Sequence, residues 1–378
     1  MKFEAIAPCL FGMESTVSYE LKNMGIKVIN VSDGRVTFEA DAFEIARANL
    51  ALRTAERVLI KVGEFKAYSF EQLYQGILNL PFEDYIPKDA IFPIAKAKSI
   101  SSKLFSKSDI QSVSKKAVVE RLKAKHKVKI LPETGAEHPI TVFINKDVVE
   151  VTIDTSGPAL HKRGYREKSG GAPIRETLAA FMVMLTPWRE NRLLVDPMCG
   201  SGTILIEAAM YGAGIMPGIN RSFTGEGLSF LPKNVWQEER NDALAMEKDV
   251  EFKLKGYDID PEVIELAKEN AELAGVGHLI DFEVKDMKEW KTTDENGFLI
   301  TNPPYGERLS SEDEVIELYK DMGKVFKSLK NWSYYIITTL EDADKIMDIP
   351  FQKKRKLYNG MLKSYYYQFL GPKPNKKV

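Results

Sequence analysis

The chain has 378 residues, of which 44% are hydrophobic and 28% charged, and its formal net charge is −1. That length suits two domains, or one large and one or two small, at about 100–200 residues each, and the composition excludes disordered, collagen-like and mucin-like classes. Two cysteines, Cys9 and Cys199, exclude a disulfide framework or a cysteine-based zinc cluster, the near-apolar run Leu178–Leu185 is far below the roughly 18 residues of a membrane span, and Glu4 and Glu14 interrupt any signal-peptide core, so the chain reads as cytoplasmic and metal-free.

Along the first sixty residues, Phe3–Ala7 reads as a strand and Gly12–Met24 as a helix. Lys27–Val31 and Arg35–Glu39 read as a strand pair turning at Asp33-Gly34. Asp41 is placed to cap a helix running to Leu52, and Arg57–Val62 returns as a strand. The order β-α-β-β-α-β is the split plan of ferredoxin-like modules, which host many functions. From Lys88 to Lys129 the composition shifts: twelve basic residues stand against three acidic ones, an excess of +9 in 42 residues, with serines between the lysines. A one-signed excess of lysine and serine is suited to phosphate oxygens, and it marks Lys96, Lys98, Lys103, Lys107, Lys115 and Lys116 as candidate nucleic-acid contacts. A solvated helix face is the bland alternative.

Val148–Ile153 closes this part as a strand. Residues 154–173 then form a polar connector containing the cationic run His161-Lys162-Arg163-Gly164-Tyr165-Arg166. Arg163 and Arg166 join the candidate contacts, a merely flexible linker being the alternative for this stretch, and the domain boundary is placed here. Beyond it, strands are expected at Leu193–Pro197, Phe252–Asp258, Leu279–Val284, Phe298–Thr301 and Tyr334–Thr338. Helices are expected at Thr203–Tyr211, after Asp260-Pro261, and near Glu312–Ser328. Lys354–Tyr358 and Leu362–Leu370 flank Asn359-Gly360, a strong hairpin signal. Gly214–Trp236 is a long insertion, expected to act as a lid.

Three stretches carry chemistry. Asp196-Pro197-Met198-Cys199-Gly200-Ser201-Gly202-Thr203 leaves a strand and enters a helix, where glycines admit a ligand and the helix end offers free N–H groups. Leu205 breaks the dinucleotide fingerprint, and no Gly-Lys-Ser/Thr of a phosphate loop is present. Asp258 ends the next strand, where a carboxylate can accept both hydroxyls of a ribose. Asp286, after the following strand, can accept from an adenine amine. Thr301-Asn302-Pro303-Pro304-Tyr305 follows a strand and cannot continue into a helix. There the Asn302 side-chain oxygen and the Pro303 carbonyl can hold the two hydrogens of an exocyclic amine, and Tyr305 offers a stacking face.

These residues, in this order, resemble the successive motifs of class I S-adenosylmethionine-dependent amino-methyltransferases. With Ile206-Glu207-Ala208-Ala209, Asn302–Leu309, Leu160–Arg166 and Ala172–Glu176, the likeness narrows to the THUMP-domain RNA methyltransferases, most similar to bacterial large-subunit rRNA guanine-N2 enzymes. The resemblance covers nearly the whole chain. It implies an α/β fold: a Rossmann-like class I methyltransferase sheet with a C-terminal antiparallel hairpin, preceded by α+β ferredoxin-like and THUMP modules. Residues 1–66 would be the ferredoxin-like module, 67–155 the THUMP RNA-binding domain, and 156–378 the linker and catalytic domain. The implied cofactor is S-adenosyl-L-methionine, held by Asp196–Thr203, Asp258, Ile259, Asp286, Met287 and Asn302, with Asn302, Pro303, Pro304 and Tyr305 as the catalytic group. The implied substrate is N2 of a guanine in 23S rRNA. Adenine N6 in RNA or DNA, guanine N2 in tRNA, and a catalytically inert RNA-binding assembly factor are the alternatives. The oligomeric state is not legible. The segment Glu238–Glu295 holds eighteen acidic and eight basic residues, so the near-neutral total averages a basic region and an acidic one.

Overall fold

The computed structural model describes residues 1–166, 174–252, 254–304, 312–359 and 362–372. The chain divides into two compact units that its covalent order does not respect. The first comprises Met1–Cys9, Val17–Leu160 and Arg221–Asp242, and the second Leu10–Thr16, His161–Asn220 and Ala243–Val378.

The first unit is built on β1 (Phe3–Pro8), α1 (Glu14–Asn23), β2 (Lys27–Ser32), β3 (Arg35–Ala40), α2 (Ala42–Ala51) and β4 (Leu59–Lys66). It continues with α3 (Phe70–Leu78), β5 (Ile94–Ile100), α4 (Lys107–His126), β6 (Ile140–Asn145) and β7 (Val148–Asp154). Local chemistry sets several ends. Asp41 accepts from the Glu44 N–H at 3.0 Å while the Glu44 carboxylate accepts from the Asp41 N–H at 2.7 Å, a reciprocal cap that starts α2. Gly34, at φ +70, turns β2 into β3. The seven strands form one sheet in the order β2-β3-β1-β4-β7-β6-β5. The ferredoxin-like and following modules therefore share a sheet, joined where β4 pairs antiparallel with β7 from Leu59↔Asp154 to Lys66↔Val148.

Part of the insertion expected as a lid belongs to the core of this first unit. From Arg221 onward the insertion packs on this first unit. Phe223 stacks on Trp236 with ring centroids 5.3 Å apart, and Phe230 meets the edges of Phe3 and Tyr85 at 5.8 and 5.2 Å. Arg221 donates to the Ala159 carbonyl at 2.9 Å, and Arg47 grips the buried Glu239 through two bonds of 2.8 and 2.6 Å. Aromatic burial on one face and a bidentate ion pair at the other end fix the segment as part of this core.

The second unit runs through α5 (Glu176–Met184), β8 (Leu194–Asp196) and α6 (Thr203–Gly212). Then α7 (Asn234–Ala245) carries the chain out of the first unit into β9 (Leu254–Asp258), α8 (Pro261–Leu273), β10 (Ile280–Val284) and β11 (Phe298–Thr301). The final elements are α9 (Glu312–Ser328), β12 (Ser333–Thr338), α10 (Ala343–Met347), β13 (Lys353–Asn359) and β14 (Leu362–Phe369). The sheet order is β10-β9-β8-β11-β12-β14-β13. Five strands are parallel, and the β13–β14 pair closes antiparallel on β12. The order reverses beside β8, whose neighbours are β9 and β11. An open α/β sheet places its ligand crevice at the carboxyl ends of the strands at such a switch. Beneath it lies a core of Val195, Tyr257, Leu299, Tyr319, Phe326, Trp332 and Ile336, with Tyr365 and Tyr367 from the hairpin. Among the described residues, no helix is long and apolar enough to cross a membrane.

Candidate active site

The carboxyl ends of β8, β9, β10 and β11 deliver Asp196, Asp258, Asp286 and Asn302 to one end of the second sheet. Two adjoining cavities open there, of about 430 and 490 Å³. Met198, Gly200, Asp258 and Asn302 line both. The first extends from Asp258 along Cys199, Ser201 and Thr203 toward Ile174. The second extends from Asp258 past Ile259, Asp286, Met287 and Lys288 to Pro304 and Glu317. The whole is an elongated groove with a carboxylate at its middle.

The turn from β8 to α6 shapes the first cavity. Gly200 has φ +53, and a Cβ there would meet nothing within 4 Å, so its bare backbone faces open space. Gly202 has φ +79, and a Cβ there would press on Phe282 at 3.0 Å and Ala267 at 3.2 Å, so this glycine serves both conformation and packing. Asp258 is oriented by two backbone donors: Gly200 N–H reaches one carboxylate oxygen at 3.0 Å and Asp260 N–H the other at 3.1 Å. Each oxygen keeps acceptor capacity for a second donor. Asp260 caps α8 through Glu262 N–H at 2.9 Å, and it lines the first cavity as well, a role the capping pattern does not predict. Asp286 accepts from Lys288 N–H at 2.9 Å, and Met287 is buried beside it. Ile259 is 70% exposed, an apolar side chain presented at the groove.

Two titrating groups stand out. Asp196 is buried, and burial pushes its carboxyl up to about 7; the charge of Asp258 adds to this, while the hydrogen bond from Met198 N–H opposes it. The Cys199 thiol is pushed well above its ordinary range by burial and by the same two carboxylates. It stays protonated and serves as a small wall residue rather than a nucleophile. Asp196 yields a pH prediction. Its folded value exceeds the ordinary 3.8, so the native state binds more protons than the unfolded one between about pH 4 and 7, and its ionisation penalty grows across that window. A cation bound in the groove favours the ionised form. A cationic ligand is therefore expected to bind more tightly as pH rises from about 5 to 7, releasing protons on binding, and an uncharged-sulfur analogue should show a smaller slope. Calorimetry in buffers of different ionisation enthalpy measures both.

Asn302 follows β11 directly. Its side-chain oxygen is buried and meets no hydrogen-bond donor among the described residues. A buried amide oxygen without a donor costs about 1–3 kcal/mol, and the residue that carries it lines both cavities. Pro303 is buried and Pro304 half-buried beside it. Tyr305, and with it the expected stacking face, lies outside the described residues.

Of the lysines, Lys96 and Lys98 stand exposed on the edge strand β5, Lys103 is exposed near Tyr68, and Lys107 and Lys116 are exposed on α4. Lys115 differs: its ammonium lies 3.5 Å over the Phe92 ring and 3.1 Å from the Glu133 carboxylate. Arg121 and Lys125 meet Glu83, and Lys123 meets Glu120. The basic field is thus smaller than the residue count implies. The two arginines are turned inward. Arg163 is buried and pairs at 3.3 Å with Glu207, itself 0% exposed, and the Tyr165 hydroxyl donates to the same carboxylate at 3.2 Å. Arg166 pairs with Glu176 at 3.3 Å and donates to the Thr203 hydroxyl and the Ile174 carbonyl. Arg163 presents no cation to solvent, which corrects the expectation that it touches RNA, while the Arg166 side chain is 12% exposed and committed to these partners. Sequence reading also missed Ile174, Val263 and Leu266 as groove residues; only the i, i+3 spacing of the last two on α8 hints at them.

Residues 163–368 match the RMKL-like methyltransferase domain, 4–59 the RlmL ferredoxin-like domain and 67–154 the THUMP domain. The chain belongs to the RMKL-like methyltransferase family. This methyltransferase is 42% identical over 374 residues, 97% of its length and 96% of the relative's, to YpsC of Bacillus subtilis (strain 168), named provisionally as an RNA methyltransferase. It superposes on SMU.472, described provisionally as a methyltransferase and crystallised with S-adenosylhomocysteine, with a TM-score of 0.94 at 41% identity, covering 98% of this chain and 99% of that one. A Listeria monocytogenes str. 4b F2365 protein, described as a predicted N6-adenine-specific DNA methylase, gives a TM-score of 0.93 at 45% identity over 98% and 97% of the two chains.

Proposed function

We propose that this methyltransferase transfers a methyl group from S-adenosylmethionine to an exocyclic amine of an RNA base, N2 of a guanine in 23S rRNA. The observation that carries the reading is Asn302 at the junction of the two cavities, its buried oxygen an acceptor that meets no donor among the described residues. Support for RNA comes from the THUMP domain, the exposed lysines on β5 and α4, and the name of the Bacillus relative.

The groove fits the cofactor by the chemistry of its donors and acceptors. Asp258, at the middle, accepts from the ribose hydroxyls. Ile259, Asp286 and Met287 take the adenine in the second cavity, and Cys199–Thr203 bring backbone N–H groups to the amino-acid end in the first. When bound, the cofactor supplies an electrophilic methyl on a sulfonium. The rest is alignment by the chain. A flipped-out base, at a cost of a few kcal/mol, gives its amine hydrogens to the Asn302 oxygen and the Pro303 carbonyl, which aims the nitrogen lone pair into the groove. Asn302 and Pro303 hold that geometry on a rigid corner, and the proton the methylated nitrogen must shed is acidic once the nitrogen is alkylated and passes to solvent, so no strong base is needed.

Methylation of 23S rRNA from a deletion strain by the purified protein, read by nucleoside mass spectrometry, tests the proposal. N2-methylguanosine is the expected product; no methylated nucleoside in any RNA would overturn it. A second reading, adenine N6, uses the same two acceptors and is favoured by the description of the Listeria relative; N6-methyladenosine in that assay would select it. Lys96→Glu with Lys98→Glu is expected to weaken RNA binding severalfold or more and to flatten its salt dependence by up to about two units of log–log slope, with S-adenosylhomocysteine affinity unchanged. Binding titrations at several salt concentrations check this.

A further inference from the structure

The cavity assigned to the amino-acid end of the cofactor has a charge problem. Asp196, Asp258 and Asp260 line it, and no lysine or arginine is among its described lining residues. The ligand brings a sulfonium and an ammonium, which three carboxylates suit, but also a carboxylate, which they repel. The N-terminus of α6 offers N–H groups and a partial positive charge, and one full cation stands directly behind the wall. Arg166 donates through Nη2 to the Thr203 hydroxyl and through both Nη atoms to the Ile174 carbonyl, at 3.3 and 3.4 Å. Thr203 and Ile174 both line the cavity. The Thr203 hydroxyl is also 3.3 Å from that of Ser201, another lining residue. The Arg166 Nε–H is buried and meets no acceptor among the described residues.

We infer that Arg166, with the Thr203 hydroxyl it holds, forms the subsite for the carboxylate of the cofactor's methionine moiety. The inference rests on the placement of that moiety along Cys199–Thr203. A planar guanidinium can hold Glu176 on one side and still present donors on another, which an ammonium does less well. The same pairing explains why a cation of the connector is turned away from solvent. It would make cofactor occupancy sensitive to where the connector lies, because Arg166 belongs to the connector and Thr203 to the catalytic helix.

The test compares two ligands that differ only in the carboxylate: S-adenosylhomocysteine and its decarboxylated analogue, 5′-(3-aminopropylthio)-5′-deoxyadenosine. Calorimetry with the full chain should show that wild type prefers S-adenosylhomocysteine. Arg166→Gln is expected to weaken that ligand by about ten- to a hundredfold, the range of a lost charge-assisted hydrogen bond, and to weaken the analogue less than about threefold. Equal losses for both ligands would show a merely structural tether, and no loss would show no contact; either result overturns the inference. Should Arg166→Gln fail to fold, Arg166→Lys, which keeps the charge and loses the fork, is read by the same ratio and should narrow it. Gly200→Val separates the underlying placement from the inference. Its side chain would enter the cavity, so if both ligands bind it as tightly as wild type, the placement fails. If Gly200→Val weakens both while the Arg166 variants leave the ratio unchanged, only the Arg166 assignment fails.

Discussion

Asn302→Ala is expected to lower kcat for methyl transfer by about 10²–10³, the scale seen when one preorganised hydrogen-bonding group is removed from a reacting centre. S-Adenosylhomocysteine should still bind within a few-fold of wild type, because Asp258 and the 199–203 turn keep their geometry. The unusual part of the expectation concerns stability. Among the described residues no donor reaches the buried Asn302 oxygen, so its removal is expected to relieve a cost rather than create one, and the variant should unfold no earlier than wild type. Asn302→Asp keeps an acceptor in place and should retain more activity than alanine. Single-turnover methylation, ligand calorimetry and thermal unfolding on the same preparations decide it. Wild-type turnover in Asn302→Ala would remove the site from the reaction.

Arg163→Ala should cost about 3–5 kcal/mol of stability, because it strands a fully buried carboxylate. Glu207 has no exposure to water, and once the guanidinium is gone the Tyr165 hydroxyl is its remaining donor among the described residues. Burial and the charge of Glu207 hold the Tyr165 phenol well above its ordinary range, so it remains a donor but brings no charge. Denaturant unfolding monitored on the second unit should show the loss, while RNA affinity per folded molecule stays as in wild type. Loss of RNA affinity at unchanged stability would restore the surface role expected from sequence. Replacing both partners, as in Arg163→Met with Glu207→Met, should recover much of the deficit, since paired hydrophobic residues carry no desolvation penalty.

What sequence could and could not disclose follows from the range of the forces involved. The Asp41 cap with Glu44, Asp260 with Pro261 at the start of α8, and the β13–β14 pair are decided within a few residues, and each lies where the pattern puts it. The strand expected at Arg57–Val62 is instead Leu59–Lys66, because β7 extends the ladder across Glu64 and Lys66, charges that locally read as a strand end. The groove residues Asp196, Asp258 and Asn302 were legible because each ends a strand. Arg163 and Lys115 were misread for the opposite reason: a charge run shows the cation but not Glu207 or Glu133, the distant carboxylates that claim it. The packing of the insertion was hidden likewise, since Phe230 meets Phe3 and Tyr85, both far away along the chain.

The interleaving of the two units has a consequence for the ribosome. The ferredoxin-like and THUMP modules are complete in sequence by Leu160, yet their compact unit also needs Arg221–Asp242. At roughly 5–20 residues per second, the last of that segment is made on the order of 4–16 seconds after Leu160. For that interval the faces of Phe3 and Tyr85 that Phe230 covers stand open, and Arg47 waits for its carboxylate. Neither unit is one uninterrupted segment, and each is threaded by residues of the other. A fragment beginning at residue 161 would bring Phe223, Phe230 and Trp236 without the surface they bury against and is expected to aggregate, whereas one ending at residue 242 contains everything the first unit uses.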